Sequence, residues 1–315
     1  MIHVSVIIPM YNAKEHIRET LNSLVLQTYN LFEVIVINDG STDNSVEIVN
    51  TFKRKLNINL ISIPNKGAAN ARRTGIQIAK SDYIFFLDSD DLVPENAIKA
   101  LYKEIIESDN DVVIGQNKIL INQKLENSKP FELADNSVIK SFLLQKLPFT
   151  LWSSLYKKEL FENLNFYEKF IVGEDFLINC QIFSNKKIKV SVINEDVYIY
   201  RRHVNSLTKK NDHKKTAQNF KAYITGINII ESKEHINLDN EFIYNKLVFL
   251  YSLMVISSKD IGILIQNIKT HKKDQIKSQI KKLNFKMRVI LYSIIFLYIP
   301  YQFIQSIINF LKKLK

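Results

Sequence analysis

The first ninety residues alternate short apolar runs with segments in which apolar positions recur every three or four residues. Runs of the first kind predict buried strands, and periodicity of the second kind predicts helices. The predicted strands are Val4–Ile8, Glu33–Ile37, Leu60–Ile63 and Tyr83–Leu87. Three helices are predicted between these strands. The apolar positions of the first are Ile17, Leu21, Leu24 and Val25. The second follows a cap at Ser41 or Thr42 and has the apolar positions Val46, Ile48, Val49 and Phe52, and the third is Ala68–Ala79. This alternation predicts an α/β fold whose parallel sheet is covered by helices on both faces.

The rest of the chain is less regular. Pro94-Glu95 is typical of a helix start, residues 122–137 are polar and predict a loop, and the sequence is helical in character from about residue 212. A length of 315 residues with 46% hydrophobic content suits one large or two small globular domains. The single cysteine, Cys180, excludes an internal disulfide. The opening residues resemble a strand rather than a signal peptide, so we expect a cytosolic-facing protein.

Polar residues follow the predicted strands at the points where they end. Tyr11-Asn12 follows the first strand, Asp39 the second, and Asp88-Ser-Asp-Asp91 the fourth. The carboxyl ends of parallel strands meet at one edge of a sheet, where α/β proteins bind ligands. Three neighbouring carboxylates repel one another, and a hard divalent cation bound together with substrate phosphates would offset that repulsion. The alternative is a solvated, acidic turn that caps a helix.

Two further clusters carry reactive groups. Gly173-Glu-Asp175 lies in an apolar segment, where burial raises the pKa of a carboxylate and suits it to act as a general base. Its alternative is an ordinary helix N-terminus, which favours acids. Tyr200–Thr208 contains two arginines, a histidine and the two aliphatic hydroxyls of Ser206 and Thr208, which suit a diphosphate and its metal. A basic, solvated loop is the alternative there.

Together these segments resemble the family 2 nucleotide-sugar glycosyltransferases, which have the GT-A fold. The resemblance covers about residues 3–210 and keeps the order and spacing of the family. The matching segments are Val4–Asn12, Ile37–Asp43, Asn65–Gly67, Ala71-Arg72, Phe86–Asp91, Trp152–Tyr156, Gly173–Asp175 and Tyr200–Thr208. The resemblance implies a GT-A type, mostly parallel sheet flanked by helices and followed by a helical C-terminal region. The expected parts are a nucleotide-sugar-binding half (1–95), an acceptor-binding and catalytic half (96–211), a helical region (212–285) and an amphipathic tail (286–315).

The resemblance also implies roles for single residues. It assigns the donor, a UDP-sugar, to Pro9, Tyr11, Asn12, Asp39, Gly67, Arg72, Asp88, Arg201, His203 and Ser206. Within this set Pro9, Tyr11 and Asp39 would hold the uracil ring, with Asp39 accepting from the ring N–H. Arg72 would lie near the phosphates or near Asp88.

The metal and the catalytic groups follow in the same way. Asp90 would be the main ligand of Mn²⁺ or Mg²⁺. Asp88 would contact the ribose or the metal, and His203 would complete the diphosphate or metal site. Asp175 would be the catalytic base, and Glu174 would orient the acceptor. One base with in-line attack implies inversion, so that an α-linked donor sugar yields a β-glycoside.

The sequence departs from the family pattern in a few places. Asn38 replaces a common Asp, and Arg73 replaces a common Asn. The Gln-x-x-Arg-Trp motif of processive synthases is absent, since Trp152 is the only tryptophan, and this favours addition of one sugar per encounter. A Lys-, Asn- and Ile-rich composition is associated with AT-rich bacterial genomes, where such enzymes build lipopolysaccharide O-antigen, capsule or other surface glycans.

Two other classes of function compete with this interpretation. A sugar nucleotidyltransferase would also bind a nucleotide and Mg²⁺ on an α/β sheet, but no Gly-rich phosphate loop is present in the sequence. An inactive transferase-fold scaffold would be expected to lack the metal carboxylates or the base, and Asp88, Asp90 and Asp175 are all present.

Charge is concentrated at the C-terminal end. The net charge is +11, and residues 269–315 hold eleven Lys/Arg and one acid, Asp274, which leaves about +1 for the rest. This charge flanks the uncharged stretch Val289–Leu311, a pattern that favours an anionic membrane surface over nucleic acid. Pro300 interrupts the stretch, so we expect a kinked helix or helix pair lying in the interface rather than a span or a buried segment. The expected location is peripheral, on the cytoplasmic face of the inner (plasma) membrane, with a glycan or lipid-linked glycan as acceptor. An oligomer is possible.

Overall fold

The computed structural model describes residues 2–133, 137–170, 172–202 and 213–233. The strands are β1 (Val4–Met10), β2 (Phe32–Asp39), β3 (Ile58–Ile63), β4 (Tyr83–Phe86), β5 (Val112–Ile121), β6 (Lys124–Asn127), β7 (Ser154–Lys157) and β8 (Val190–Arg202). The helices are α1 (Ile17–Val25), α2 (Ser45–Phe52), α3 (Ala68–Ile78), α4 (Ala97–Ser108), α5 (Val138–Leu143), α6 (Glu174–Phe183) and α7 (His213–Glu231).

The strands form one eight-stranded sheet in the order β3-β2-β1-β4-β7-β5-β6, with β8 beside β5. The pairs β3–β2, β2–β1, β1–β4 and β5–β8 are parallel, whereas β7 is antiparallel to both β4 and β5. Every residue of β2 is buried, as expected for an apolar strand covered on both faces. The predicted α/β fold with a mostly parallel sheet is therefore confirmed.

The first two strands run further than the sequence predicts. The ladder between β1 and β2 continues to the pair Met10–Asn38, beyond the predicted ends at Ile8 and Ile37. Pro9 is tolerated inside β1 although it lacks an N–H group. The longer strands place Tyr11 and Asp39 at the same carboxyl edge of the sheet.

Two local predictions were wrong, and a third was right only in part. The segment 122–137 contains the edge strand β6, which is exposed and polar and therefore shows no apolar alternation. It is joined to β5 through Asn122 and Gln123, whose φ values of 48° and 65° suit a tight hairpin turn. Helix α2 is preceded by Asn44 rather than capped by Ser41 or Thr42, and α4 begins at Ala97 rather than at Pro94.

The last strand of the sheet carries residues to the same edge. Gly115 lets β8 approach β5 closely, because a Cβ atom at this position would lie 2.4 Å from the Val197 side chain. The bridge between Leu92 and Ile199 then joins the end of β8 to the turn after β4. By this route residues 198–201 reach the turn Asp88–Asp91, which we call the acidic turn.

The chain divides into two compact units, Met1–Lys210 and Asn211–Lys315. In the second unit α7 begins at His213, which confirms helical structure just after residue 212. Among the described residues no helix is long and apolar enough to cross a membrane. The tail 286–315 lies outside the described residues, and the predicted limits of the four parts remain predictions.

Candidate active site

Residues of β8 form hydrogen bonds with the acidic turn after β4. The Tyr198 hydroxyl accepts from the Asp88 amide (3.1 Å) and donates to Asp91 Oδ2 (2.7 Å). The Arg201 amide donates to Asp91 Oδ1 at 2.7 Å. Asp91 is 1% exposed, and burial, followed by the charges of Asp88 and Asp90, raises its pKa well above the ordinary value. Asp91 therefore stabilises the turn, while Asp88 and Asp90 are only half-buried.

Helix α1 and the Arg201 side chain hold the outer side of the same turn. Thr20 Oγ1 donates to the Ser89 carbonyl (3.1 Å), and Arg201 Nε donates to the Asp90 carbonyl (2.9 Å). Arg201 Nη2 also lies 2.6 Å from Glu19 Oε2. Arg201 thus contacts protein groups, and its expected contact with the diphosphate remains a prediction.

Arg72, on α3, joins the two acidic motifs. Its Nη2 lies 2.9 Å from Asp88 Oδ1. Its Nη1 lies 3.1 Å from Glu174 Oε1 and 2.9 Å from Asp175 Oδ1. The structure places Arg72 beside Asp88 as expected, and it adds contacts with Glu174 and Asp175 that the sequence did not predict. The Arg72 side chain is only 6% exposed, so these ion pairs are formed away from solvent.

Three carboxylates, those of Asp88, Glu174 and Asp175, share the single guanidinium of Arg72. Burial, and then the charge of Asp175, raises the pKa of Glu174 to about 7, although Arg72 acts in the opposite direction. Partial burial raises the pKa of Asp88, with Asp90 and Asp175 adding to the effect and Arg72 opposing it. Burial lowers the pKa of Arg72, but the three carboxylates raise it above its ordinary value. This excess of negative charge favours binding of a further cation.

Asp175 lies in the first turn of α6, where acids are favoured by the helix dipole. Its Oδ2 accepts from the Leu151 amide at 3.3 Å. One turn further along α6, Asn179 donates to the Thr150 carbonyl (3.0 Å) and accepts from the Tyr156 hydroxyl (3.2 Å). The segment before β7 is therefore fastened to the face of α6 that bears Asp175.

Asp39 organises the loop that precedes α3. Its two carboxylate oxygens accept from the backbone amides of Lys66 and Gly67, both at 2.8 Å. Gly67 has a φ of 92°, a conformation that favours glycine. Each carboxylate oxygen has more than one acceptor site, so an additional donor such as a uracil N–H can still bind.

Asn12 likewise contacts a neighbouring loop. It has a φ of 48°, its Oδ1 accepts from the Thr42 amide (2.8 Å), and its own amide donates to Ser41 Oγ (3.0 Å). Tyr11 is 53% exposed at the edge of the sheet, and Pro9 is half-buried in β1. The residues expected at the uracil ring therefore lie at one edge, with the Tyr11 ring open to solvent.

Two carboxylates of the acidic turn, those of Asp88 and Asp90, could bind a divalent cation. Mg²⁺ sites commonly take one or two protein carboxylates, with phosphates and waters as the other ligands, and Asp88 and Asp90 can supply these carboxylates. No cluster of three or more His, Cys, Asp or Glu ligands occurs in the part of the chain that the structure describes. His203 and Ser206 lie outside the described residues, so their expected roles remain predictions.

The family model described as glycosyl transferase family 2 matches residues 5–185, more than half of the chain. The chain belongs to this family. The match contains the acidic turn, Arg72 and the Glu174-Asp175 pair.

Two bacterial glycosyltransferases are among its relatives in sequence. Glycosyltransferase GlyA of Streptococcus pneumoniae is 33% identical over 225 residues, which cover 65% of this chain and 31% of GlyA. The uncharacterized glycosyltransferase EpsJ of Bacillus subtilis is 35% identical over 218 residues, which cover 65% of this chain and 63% of EpsJ. The chain thus spans less than two thirds of either relative.

A solved structure confirms the GT-A fold. The crystal structure of Staphylococcus aureus TarS 1–349 in complex with UDP-GlcNAc matches with a TM-score of 0.69 at 20% identity, covering 93% of this chain and 87% of that chain. TarS bears the name poly(ribitol-phosphate) beta-N-acetylglucosaminyltransferase.

Sequence reasoning missed several residues that shape this family 2 site. They are Glu19 and Thr20 on α1, Asn179 on α6, and Tyr198 on β8. Asn179 lies four positions after Asp175, on the same helix face, and this spacing is a signal that the sequence does contain. Glu19, Thr20 and Tyr198 carry no such signal, because their partners are distant in sequence.

Proposed function

We propose that this family 2 protein is an inverting, metal-dependent glycosyltransferase that moves a hexose or N-acetylhexosamine from a UDP-sugar to a glycan hydroxyl. The observation that carries the proposal is the contact of Arg72 with Asp88 on one side and with Asp175 on the other. The buried guanidinium of Arg72 thereby fixes the distance between the proposed donor-binding turn and the proposed base. Transfer needs this arrangement because the acceptor hydroxyl must approach the sugar carbon in line with the leaving diphosphate.

The donor part of the proposal rests on the first two strands. The exposed ring of Tyr11 can stack on a base, and Asp39 can accept from its N–H while it holds the Lys66–Gly67 loop. The complex of TarS with UDP-GlcNAc supports a uridine diphosphate donor. The "beta" in the name of TarS supports inversion, since UDP-GlcNAc carries an α-linked sugar.

The chain's own residues divide the chemical work. Asp88 and Asp90 would hold Mn²⁺ or Mg²⁺, which stabilises the negative charge of a departing diphosphate. Asp175 takes the proton of the acceptor hydroxyl as its oxygen bonds to the sugar carbon and the bond from that carbon to the diphosphate breaks. The Leu151 amide and Arg72 hold the two oxygens of Asp175 in place. Glu174 orients the acceptor from the same helix turn.

The pathway and location extend this proposal. The similarity to TarS, whose name describes a transferase acting on poly(ribitol phosphate), favours a bacterial surface glycan as the acceptor. We expect one sugar to be added per encounter. The basic tail 286–315 would dock the protein on an anionic membrane next to a lipid-linked acceptor. Co-flotation with acidic liposomes, for the full chain and for a chain truncated before Lys286, tests this docking. Equal flotation of both would contradict it.

A product assay tests the transfer itself. The full chain is incubated with Mn²⁺ and either a panel of UDP-sugars or UTP with a sugar phosphate, and release of UDP and of pyrophosphate is measured. We expect UDP release with one donor and loss of it in Asp175→Asn, but not in Asp196→Asn, which removes a half-exposed carboxylate paired with Lys118. Pyrophosphate release from a sugar phosphate and UTP would indicate a nucleotidyltransferase. No release from any donor would indicate a scaffold.

A further inference from the structure

The only tryptophan of the chain lies flat against two tyrosines of β8. The ring centroids of Trp152 and Tyr198 are 4.7 Å apart with an interplanar angle of 15°, and those of Trp152 and Tyr200 are 6.0 Å apart at 5°. Tyr198 and Tyr200 are two positions apart on one strand, so their side chains share a face of the sheet. Trp152 as a whole residue is half-buried.

The backbone beside Trp152 is held in an unfavourable conformation. Ser153 has a φ of 65°, which is uncommon for a residue other than glycine, and it is fully buried. Its hydroxyl donates to the Gly115 carbonyl (2.7 Å), and its carbonyl accepts from the Gly115 amide (2.9 Å). Conformations of this kind persist where the surroundings enforce them, and they concentrate at functional sites. The position of the indole is therefore set by the fold.

Trp152 directly follows the residue that contacts the proposed base. The Leu151 amide donates to Asp175 Oδ2 at 3.3 Å, and Asn179 holds the Thr150 carbonyl at 3.0 Å. A base that removes the acceptor proton must lie against the acceptor sugar. An aromatic surface fixed within two residues of such a contact is placed to meet the same sugar.

The topology puts Trp152 on the side of the acidic turn away from Asp39. Strand β7 begins two residues after Trp152 and is antiparallel to β4, so its first residues lie at the carboxyl end of β4. Strands β1 and β2, which carry the proposed uracil-binding residues, lie on the other side of β4. Trp152 therefore lies across β4 from Asp39, next to the residue that contacts Asp175.

We propose that Trp152 is the platform on which a pyranose ring of the acceptor stacks while its hydroxyl is presented to Asp175. The face of an aromatic ring is electron-rich and attracts the partly positive C–H hydrogens on the flat side of a pyranose. An open-chain polyol offers no such side. The inference rests on the proposed function, because it takes Asp175 as the group that meets the acceptor.

Intrinsic fluorescence tests the stacking directly, because all indole emission comes from Trp152. The full chain with UDP and Mn²⁺ is titrated with methyl β-D-glucopyranoside, methyl β-D-galactopyranoside and methyl N-acetyl-β-D-glucosaminide, with sorbitol as the open-chain control. We expect a saturable change in emission with at least one glycoside and none with sorbitol. The absence of a saturable change with all three glycosides, or an equal change with sorbitol, would overturn the proposal.

Substitution adds a kinetic test. Trp152→Leu should raise the acceptor KM at least about tenfold, whereas the acceptor KM of Trp152→Phe should stay close to the wild-type value. The affinity for UDP should stay near that of the wild type in both variants. Tyr102→Leu is the control, because Tyr102 stacks on His3 at the other end of the sheet. An acceptor KM in Trp152→Leu no higher than in Tyr102→Leu would contradict the platform. If Trp152→Leu does not fold, the Trp152→Phe kinetics and the fluorescence titration decide the question.

A failure of the proposed function would look different. In that case no sugar nucleotide would release UDP with the wild type, whatever the emission of Trp152 does on addition of a glycoside. A failure of the platform alone would leave UDP release and its loss in Asp175→Asn intact.

Discussion

Arg72 Nη1 lies 2.9 Å from Asp175 Oδ1, and this ion pair links the helix of the proposed base to the helix that faces the acidic turn. The same guanidinium contacts Asp88 through Nη2. Lysine is a point charge and cannot reproduce a planar fork that serves several carboxylates. The geometry of the site therefore depends on arginine at this position.

Arg72→Lys should fold and lose most activity, with kcat lower by at least about 10²-fold, because Asp88 and Asp175 lose their common partner. Arg72→Ala should lower the free energy of unfolding by about 3–5 kcal/mol, since it leaves buried carboxylates without a cation. Steady-state kinetics and urea denaturation measure both effects. Arg73→Lys, at an exposed pair with Glu168, is the control. Wild-type kcat in Arg72→Lys would contradict the bridging role.

Asp175→Asn should lower kcat by at least about 10²-fold while the affinity for UDP stays close to that of the wild type, because only the proton acceptor is lost. Calorimetric titration with UDP and initial-rate kinetics separate the two quantities. A parallel collapse of UDP affinity would make Asp175 a binding residue instead of the base.

Asp39→Ala should weaken UDP binding by about 1–3 kcal/mol through loss of a charged acceptor. The substitution also removes the acceptor of the Lys66 and Gly67 amides, so the loop before α3 should exchange its amide hydrogens faster. UDP titration and hydrogen exchange measure these changes. Asp43→Ala, which alters the start of α2, serves as the comparison. Unchanged UDP affinity in Asp39→Ala would count against the uracil assignment.

Glu174 predicts a pH-dependent stability. Its pKa is raised from 4.5 to about 7, so between these values the folded protein binds more protons than the unfolded chain. Stability should therefore fall as pH rises from about 5 to about 7.5, since linkage favours the state that binds the proton. Glu174→Gln should flatten this fall and raise the Tm at pH 8. Thermal scans at pH 5 and pH 8 without metal test this, with Glu168→Gln as the control. Identical Tm differences in wild type and Glu174→Gln would refute it.

The negative charge of the carboxylates in the acidic turn exceeds the positive charge around them, so we expect a divalent cation to bind there. Chelation of that cation should abolish transfer. EDTA should remove activity, and Mn²⁺ or Mg²⁺ should restore it. Asp90→Ala should lower kcat/KM and raise the Mn²⁺ concentration needed for half activity. Full activity after exhaustive chelation, or wild-type metal dependence in Asp90→Ala, would exclude Asp90 as a ligand.

The sequence alone determined the α/β alternation and the polar edge of the sheet. Apolar runs and helical spacing are local signals, and residues at strand ends such as Asp39 and Asp88 must lie together wherever the strands are parallel. Family motifs supplied the roles expected of Glu174 and Asp175. The exposed edge strand β6 was missed because a strand without a buried face leaves no apolar alternation.

Tertiary structure alone decided which partners these residues meet. Arg72 contacts both acidic motifs because the fold brings α3 next to the turn after β4 and to the first turn of α6, and no periodicity in the sequence encodes that contact. Tyr198 contacts the acidic turn because the end of β8 is bridged to the turn after β4. Trp152 lies against Tyr198 because it precedes β7, whose first residues lie at the carboxyl end of β4. Contacts between segments distant in the chain depend on strand order and register, which arise from packing of the whole core.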